Sequence, residues 1–206
     1  MFLNNMIEVF LFVNPLGTTC FETEKMIESF SAERDEKVKV RFIPLLNFHT
    51  IGSKLKESEN QTLSNRNQLY TDSFHASLAF QAASMQGKKK GRKFLMVLQD
   101  KVINEGREVT KELFAQIAEL IKLDLEMFEE DFESDFSKSA FKKDQKLAQE
   151  MNIQNAPSCV LYSGNNDDFG YRVDTSITKQ LLHGFCDENV QIKRNGTKHL
   201  SLLQMI

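Results

Sequence analysis

The sequence of 206 residues lacks the cysteines, the cation excess and the long apolar run that would place it in several protein classes. Its three cysteines, Cys20, Cys159 and Cys186, cannot all pair within one chain, and their scatter matches no zinc-ligand spacing. That pattern excludes a disulfide-stapled scaffold and fits a reducing cytosol. With 26 Lys and Arg against 29 Asp and Glu, the net charge is -3, which leaves no excess to neutralise a phosphate backbone and argues against nucleic acid as a partner. The apolar opening, residues 1–15, has no basic start and no small-residue cleavage site. Glu8 interrupts it well short of the roughly 20 residues that a membrane span needs. We read it as a buried strand of a cytoplasmic protein without membrane contact. His49, His75, His183 and His199 lie apart, with no carboxylate or cysteine at ligand spacing, so neither a metal nor another cofactor is expected. There is no G-x-S-x-G, H-E-x-x-H or P-loop, and no internal repeat or low-complexity stretch.

What is present reads as an α/β chain with one core, of a length that suits one domain or one domain carrying a large insertion. Ile7 to Val13 is a β-branched and aromatic run ended by Asn14-Pro15 and Gly17, as where a buried strand meets a turn. A helix follows from about Cys20 to Glu33, with Thr18 or Thr19 available to cap it. Val38-Lys39-Val40-Arg41-Phe42 alternates and runs into Ile43-Pro44-Leu45, a second strand. The helix between is long enough to cross between parallel strands.

The next hundred residues carry no strand signal. A polar, loop-like stretch from Phe48 to Thr71 precedes a helix capped by Asp72, with Phe74, Leu78, Ala82 and Met85 on one face. The run GKKKGRK breaks it. A second helix holds Leu95, Leu98 and Val102, and Thr110 caps a third with Phe114, Ile117, Leu120 and Ile121. A fourth places Phe128, Phe132 and Phe136 four apart and continues to Met151. Beyond Pro157, Ser158 to Tyr162 and Phe169 to Val173 read as a hairpin across a Gly164-Asn165-Asn166-Asp167 turn, and Asp174 or Thr175 caps a last helix. The tail fits either a small hairpin or a docked amphipathic end.

The order β-α-β, helical block, proline, β-β-α resembles the thioredoxin fold with an all-helical insertion, as in DsbA-like proteins. On that layout residues 1–60 and 152–190 form the thioredoxin-like part, 61–151 the insertion and 191–206 a tail. Asn14-Pro15-Leu16-Gly17-Thr18-Thr19-Cys20 looks like the corner where a C-x-x-C pair opens the first helix in those proteins, and FEEDFESDFSKSAFKKDQKLAQEMNIQNAPSCVLY like the approach to their cis-proline loop. Within that group the chain is most similar to the YjbH/SpxH adaptors of low-GC Gram-positive bacteria. The resemblance implies an adaptor that presents the regulator Spx to the ClpXP protease. Those proteins often keep D-P-L-C-x-x-C, where this sequence has Asn14 and Gly17.

In thiol-disulfide exchange the nucleophile is a thiolate at an exposed helix N-terminus, where the dipole lowers its pKa. Gly17 stands at that place, and Cys20 at the place of the resolving cysteine. Cys20 alone can form a mixed disulfide but cannot cycle as a dithiol. A thiol-disulfide oxidoreductase or isomerase working through Cys20 is therefore the alternative to the adaptor. A kappa-class-like, glutathione-dependent enzyme is a second, with Thr18 the nearest hydroxyl, one residue off. Cys159 reads as a buried structural cysteine and Cys186 as incidental. The resemblance also makes Pro157 cis and sets it beside the corner, where main-chain groups of Ala156 can pair with an extended peptide. Taken alone, Pro157 equally starts an ordinary strand. The partner-binding residues expected are thus Leu16, Gly17, Thr18, Thr19, Ala156 and Pro157. Glu129, Glu130, Asp131, Glu133 and Asp135 read as a solvated helix face, and Lys88, Lys89, Lys90, Arg92 and Lys93 as a charged loop between helices rather than a contact for anionic segments.

Overall fold

A computed structural model describes residues 6–56, 61–163, 169–174, 177–187 and 200–204. Strand β1 (Met6–Val13) pairs in parallel with β2 (Lys37–Pro44), and helix α1 (Thr18–Glu33) crosses between them. Both strands alternate between the two faces of the sheet. Ile7, Val9, Leu11 and Val13 join Val40 and Phe42 in a core under α1, while Phe12 and Ile43 face the other side. Two further strands, β3 (Ser158–Ser163) and β4 (Phe169–Val173), add antiparallel to β1. The fold is thioredoxin-like α/β with helices inserted between β2 and β3.

The tail adds a fifth strand. β5 (Leu200–Gln204) pairs antiparallel with β4, giving the sheet order β2-β1-β3-β4-β5. Leu202 and Leu203 therefore belong to an edge strand rather than to a docked amphipathic end. The hairpin turn expected at Gly164 to Asp167 lies outside the described residues, as do His199 and the small tail hairpin expected over Val190, Ile192, Asn195-Gly196 and Leu200, except for Leu200 itself.

The helical block corrects several boundaries. The polar stretch after β2 holds α2 (Phe48–Leu55), opened by a reciprocal capping box of Asn47 and Thr50. The next helix, α3 (Leu63–Met85), starts at Thr62, whose hydroxyl accepts from the Asn65 amide, so Asp72 is a mid-helix residue and not a cap. Its middle is buried all round by small residues such as Ala76, Ala79 and Ala83, which is why an amphipathic pattern marks its start poorly. The GKKKGRK run is no loop. Only Gly87, at φ 133°, breaks the chain, and Lys88, Lys89, Lys90, Arg92 and Lys93 form the first turns of α4 (Lys88–Gln99). Gly91 lets α4 approach α3 closely, since a Cβ there would lie 2.9 Å from the Ser84 Cα. A π turn, Asp100–Asn104, ends α4.

The remaining helices are α5 (Lys111–Leu120), α6 (Leu125–Glu133) and α7 (Asp135–Glu150). Thr110 caps α5 as its sequence indicates. The phenylalanine pattern spans two helices instead of one, because Ser134 ends α6 and caps α7, and this leaves Phe136 74 % exposed. Phe94, Phe114, Phe128 and Phe132 pack with ring centroids 5.3 to 6.4 Å apart in the core of the block. The last helix, α8 (Lys179–Cys186), is capped by Thr178, later than Asp174 or Thr175, and covers the sheet beside α1. The acidic side chains Glu129, Glu130, Glu133 and Asp135 are exposed.

Candidate functional site

The corner between β1 and α1 is built by Asn14, which is buried and engages through three groups. Its side-chain oxygen accepts from the Leu16 amide at 2.9 Å, its carbonyl accepts from the Gly17 amide at 2.9 Å, and its own amide donates to Cys20 Sγ at 3.3 Å. An asparagine hydrogen-bonding two residues ahead makes a turn without a backbone partner, which explains the residue type here. Gly17 is the N-cap of α1, at φ -82° and ψ 124°, and gives the helix no side-chain cap in place of the threonines expected to supply one. Any residue can hold that conformation.

Thr18 and Thr19 are exposed on the first turn of α1. The Thr18 hydroxyl accepts from Lys54 Nζ at 2.9 Å, so the hydroxyl nearest the cysteine position is tied to a cation on α2. Leu16 is only 4 % exposed and packs into the core of the helical block, where it serves as the floor of a cleft of about 720 Å³ beside Thr18, Lys54 and Leu69. Gly17 is likewise buried. The surface on offer at the corner is therefore Thr18 and Thr19, with Leu16 and Gly17 beneath.

Across from it runs the loop into β3. The Ala156–Pro157 peptide is cis, and both residues are half-buried. The antiparallel register, ending at Phe12 opposite Ser158, sets Pro157 and Ala156 beside the end of β1 where Asn14 starts the corner. The sequence-expected residues thus gather at one end of the sheet. Phe48, 84 % exposed at the start of α2, stands on the same side, and Asn47 next to it donates to the Gln154 carbonyl at 2.9 Å. Sequence patterning gives Phe48 no role because it sits in polar surroundings, though an exposed phenylalanine after a capping residue is a signal in retrospect.

Cys20 is 2 % exposed and belongs to the main core with Ile27 and Phe30. Cys159 and Cys186 share that core. Burial pushes the Cys159 thiol up to about 12 and the Cys186 thiol up to about 11, so neither offers a thiolate near neutral pH. One turn beyond Cys20, Glu24 is fully buried and accepts from Gln99 Nε2 at 2.8 Å. Burial pushes its carboxyl up to about 8 from 4.5. Glu24 Oε2 and Gln99 Oε1 are buried and accept no hydrogen bond among the described residues, and this setting favours the protonated, neutral carboxyl. Among the described residues no group of three or more His, Cys, Asp or Glu side chains can hold a metal ion, and no helix is long and apolar enough to cross a membrane.

Helices inserted before a cis-proline loop, on a β-α-β and β-β-α sheet, define a protein of thioredoxin-like fold with a DsbA-like layout. The sequence profile of the thioredoxin family matches residues 10–182, and the chain belongs to that family. It is 26 % identical over 171 residues to the ClpXP adapter protein SpxH of Staphylococcus epidermidis (strain ATCC 35984), a match covering 82 % of this chain and 59 % of that protein. It is also 26 % identical over 190 residues to the ClpXP adapter protein SpxH of Bacillus subtilis (strain 168), covering 84 % and 64 %. The chain spans about three fifths of the length of these curated relatives. Among solved structures it resembles oxidised BdbD from Bacillus subtilis at a TM-score of 0.61 and 18 % identity, covering 88 % of this chain and 86 % of that one. DsbA from Xylella fastidiosa superposes at 0.60 with 11 % identity, covering 91 % and 88 %. At such identities the likeness is one of fold.

Proposed function

We propose that the chain is a protein-binding adaptor of the SpxH kind, working in the reducing cytosol and presenting a regulator such as Spx to the ClpXP protease. The observation that carries this reading is the corner itself. Gly17 is the N-cap of α1, where the resemblance puts a nucleophilic cysteine, the Cys20 sulfur is buried and accepts a main-chain hydrogen bond, and the cis Ala156–Pro157 loop stands beside them. A buried single thiol is a poor nucleophile. A main-chain edge that pairs with an extended peptide needs no thiol at all. Thr18, Thr19, Ala156 and Pro157 then form the contact face, Leu16 and Gly17 support it, and the SpxH relatives supply the class of partner.

The test measures binding of Bacillus subtilis Spx to the wild type and to Cys20→Ser by fluorescence anisotropy, and follows Spx degradation by ClpXP with each added. Equal binding by both proteins and faster degradation are expected. No binding, or degradation unchanged by either protein, overturns the adaptor reading. Turnover in an insulin-reduction assay that disappears in Cys20→Ser puts the single-thiol oxidoreductase in its place.

A further inference from the structure

A second surface, away from the corner, carries charge of the sign that the chain as a whole lacks. β2 is one of the two edge strands of the sheet. A groove of about 700 Å³ runs between it and α3, α4 and α7. Its apolar lining comes from Phe10, Val38, Val40 and Phe80, of which Phe10 and Val38 are only half-buried. Seven cationic side chains and two carboxylates line it, an excess of five positive charges in a chain whose net charge is -3.

Three of those cations are engaged, Lys39 by Glu8, Arg41 by Asp144 and Arg92 by Glu28. The other four, Lys37, Lys88, Lys89 and Lys143, are exposed and have no ion-pair partner among the described residues. Two of them, Lys88 and Lys89, open α4, whose first turn holds no acid. Cations at a helix N-terminus oppose the dipole at a cost of about 0.3–1 kcal/mol each. Folding alone gives no reason to place them there.

The edge of β2 is open along part of its length. The Val40 carbonyl accepts from Arg92 Nη1 at 3.1 Å and so turns away from β1. Val38, two residues earlier, presents its main-chain groups to the same side. Lys37 and Lys39 flank it.

We infer that this groove docks an extended acidic segment of a partner protein, in which carboxylates alternate with apolar side chains. The carboxylates meet the lysines of the rim, the apolar residues meet the groove floor, and the main chain runs beside Val38. A strand rises about 3.3 Å per residue, so about six residues cover Lys37 to Phe42. Nucleic acid fits less well, because with five excess positive charges gathered in the groove and a net charge of -3 overall, the remainder of the chain is acidic and repels a polyanion that extends past the groove. The inference is independent of the corner.

The probe is a fluorescein-labelled peptide of about eight residues alternating glutamate with valine, followed by anisotropy at low and high salt. The expected result is binding that weakens with salt, that weakens about tenfold in the Lys88→Glu, Lys143→Glu double variant, and that persists in Thr19→Glu at the corner. Amide shifts of Lys37 to Arg41 should move on titration. The inference fails if a lysine–valine peptide binds as well, if the charge reversal changes nothing, if the β2 amides stay still, or if single-stranded oligothymidine binds the same lysines more tightly. Loss of binding in Thr19→Glu alone also overturns it, since that outcome belongs to the corner.

Discussion

If Gly17 holds the place of a lost nucleophile, then Gly17→Cys should restore a dithiol with no other change. The geometry makes this quantitative. A Cβ at position 17 would lie 3.0 Å from Cys20 Sγ and 3.3 Å from Cys20 Cβ. Across a Cβ–S–S unit, an S–S bond of about 2.04 Å and an ordinary C–S bond put the outer atoms about 3.0 Å apart. The Sγ distance is thus already that of a disulfide, while the Cβ···Cβ distance is a few tenths of an ångström under the usual range of about 3.5–4.5 Å. The Asn14 carbonyl, also 3.3 Å from that Cβ, must give by a similar amount. Closing a loop of about four residues stabilises by about 2 kcal/mol in the chain-entropy model, and the tight contacts offset part of this. At about 2–4 °C per kcal/mol, oxidised Gly17→Cys should melt about 3–6 °C above its reduced form. The assay counts thiols by alkylation after denaturation. Four are expected in reduced Gly17→Cys and two after oxidation, against three throughout in the wild type, with insulin reduction above wild type. Four alkylated thiols in the oxidised, monomeric variant would refute the argument that position 17 is a vacated redox site.

Glu24 and Gly91 give two further tests. The Glu24 carboxyl is raised from 4.5 to about 8 by burial, so the folded state holds a proton that the unfolded state has released. The resulting stability is full below about pH 4.5, declines as pH rises and is lost above about 8. Glu24→Gln should therefore gain on the wild type across that window, with a ceiling of about 5 kcal/mol, as measured by urea titration at several pH values. A constant difference between the two proteins from pH 5 to pH 9 would remove Glu24 as the cause. Gly91→Ala should lose about 1–3 kcal/mol by overpacking, since its new methyl meets the Ser84 backbone at 2.9 Å and the Ser84 hydroxyl at 2.0 Å. Gly52→Ala, which has open space around it, is the control and should not destabilise.

The first strands were legible because β2 alternates while β1 and β3 are short apolar runs bounded by turn residues. The helix starts were less so. Asp72 has a capping side chain, yet α3 is capped at Thr62, because a mostly polar stretch that looks like a loop can be helical when the far end of the helix is anchored by packing. Gly91 reads as a breaker until the close approach of α3 to α4 supplies its purpose. Thr18 and Thr19 are good caps by residue type, but the Asn14 turn sets the helix start at Gly17. The site is legible as a place rather than as chemistry: the likeness to DsbA-like corners points to Gly17, Cys20 and Pro157, whereas burial of the sulfur comes from tertiary packing and the Glu24–Gln99 hydrogen bond from a contact across 75 positions of sequence.

Cys20 has a structural duty at the corner. Asn14 fixes the corner through Leu16, Gly17 and Cys20, and only the last of these contacts uses the cysteine side chain, as an acceptor for an otherwise buried amide. An unpaired buried amide costs about 1–3 kcal/mol, so removing the acceptor harms folding whatever the redox state. Position 17 has no such duty, since its glycine closes the turn through the main chain alone. A change of side chain at position 17 therefore leaves the corner's hydrogen bonds in place, whereas substitution at position 20 by an apolar residue would disturb them. A serine accepts the same hydrogen bond, and Cys20→Ser is for that reason the variant that separates thiol chemistry from fold.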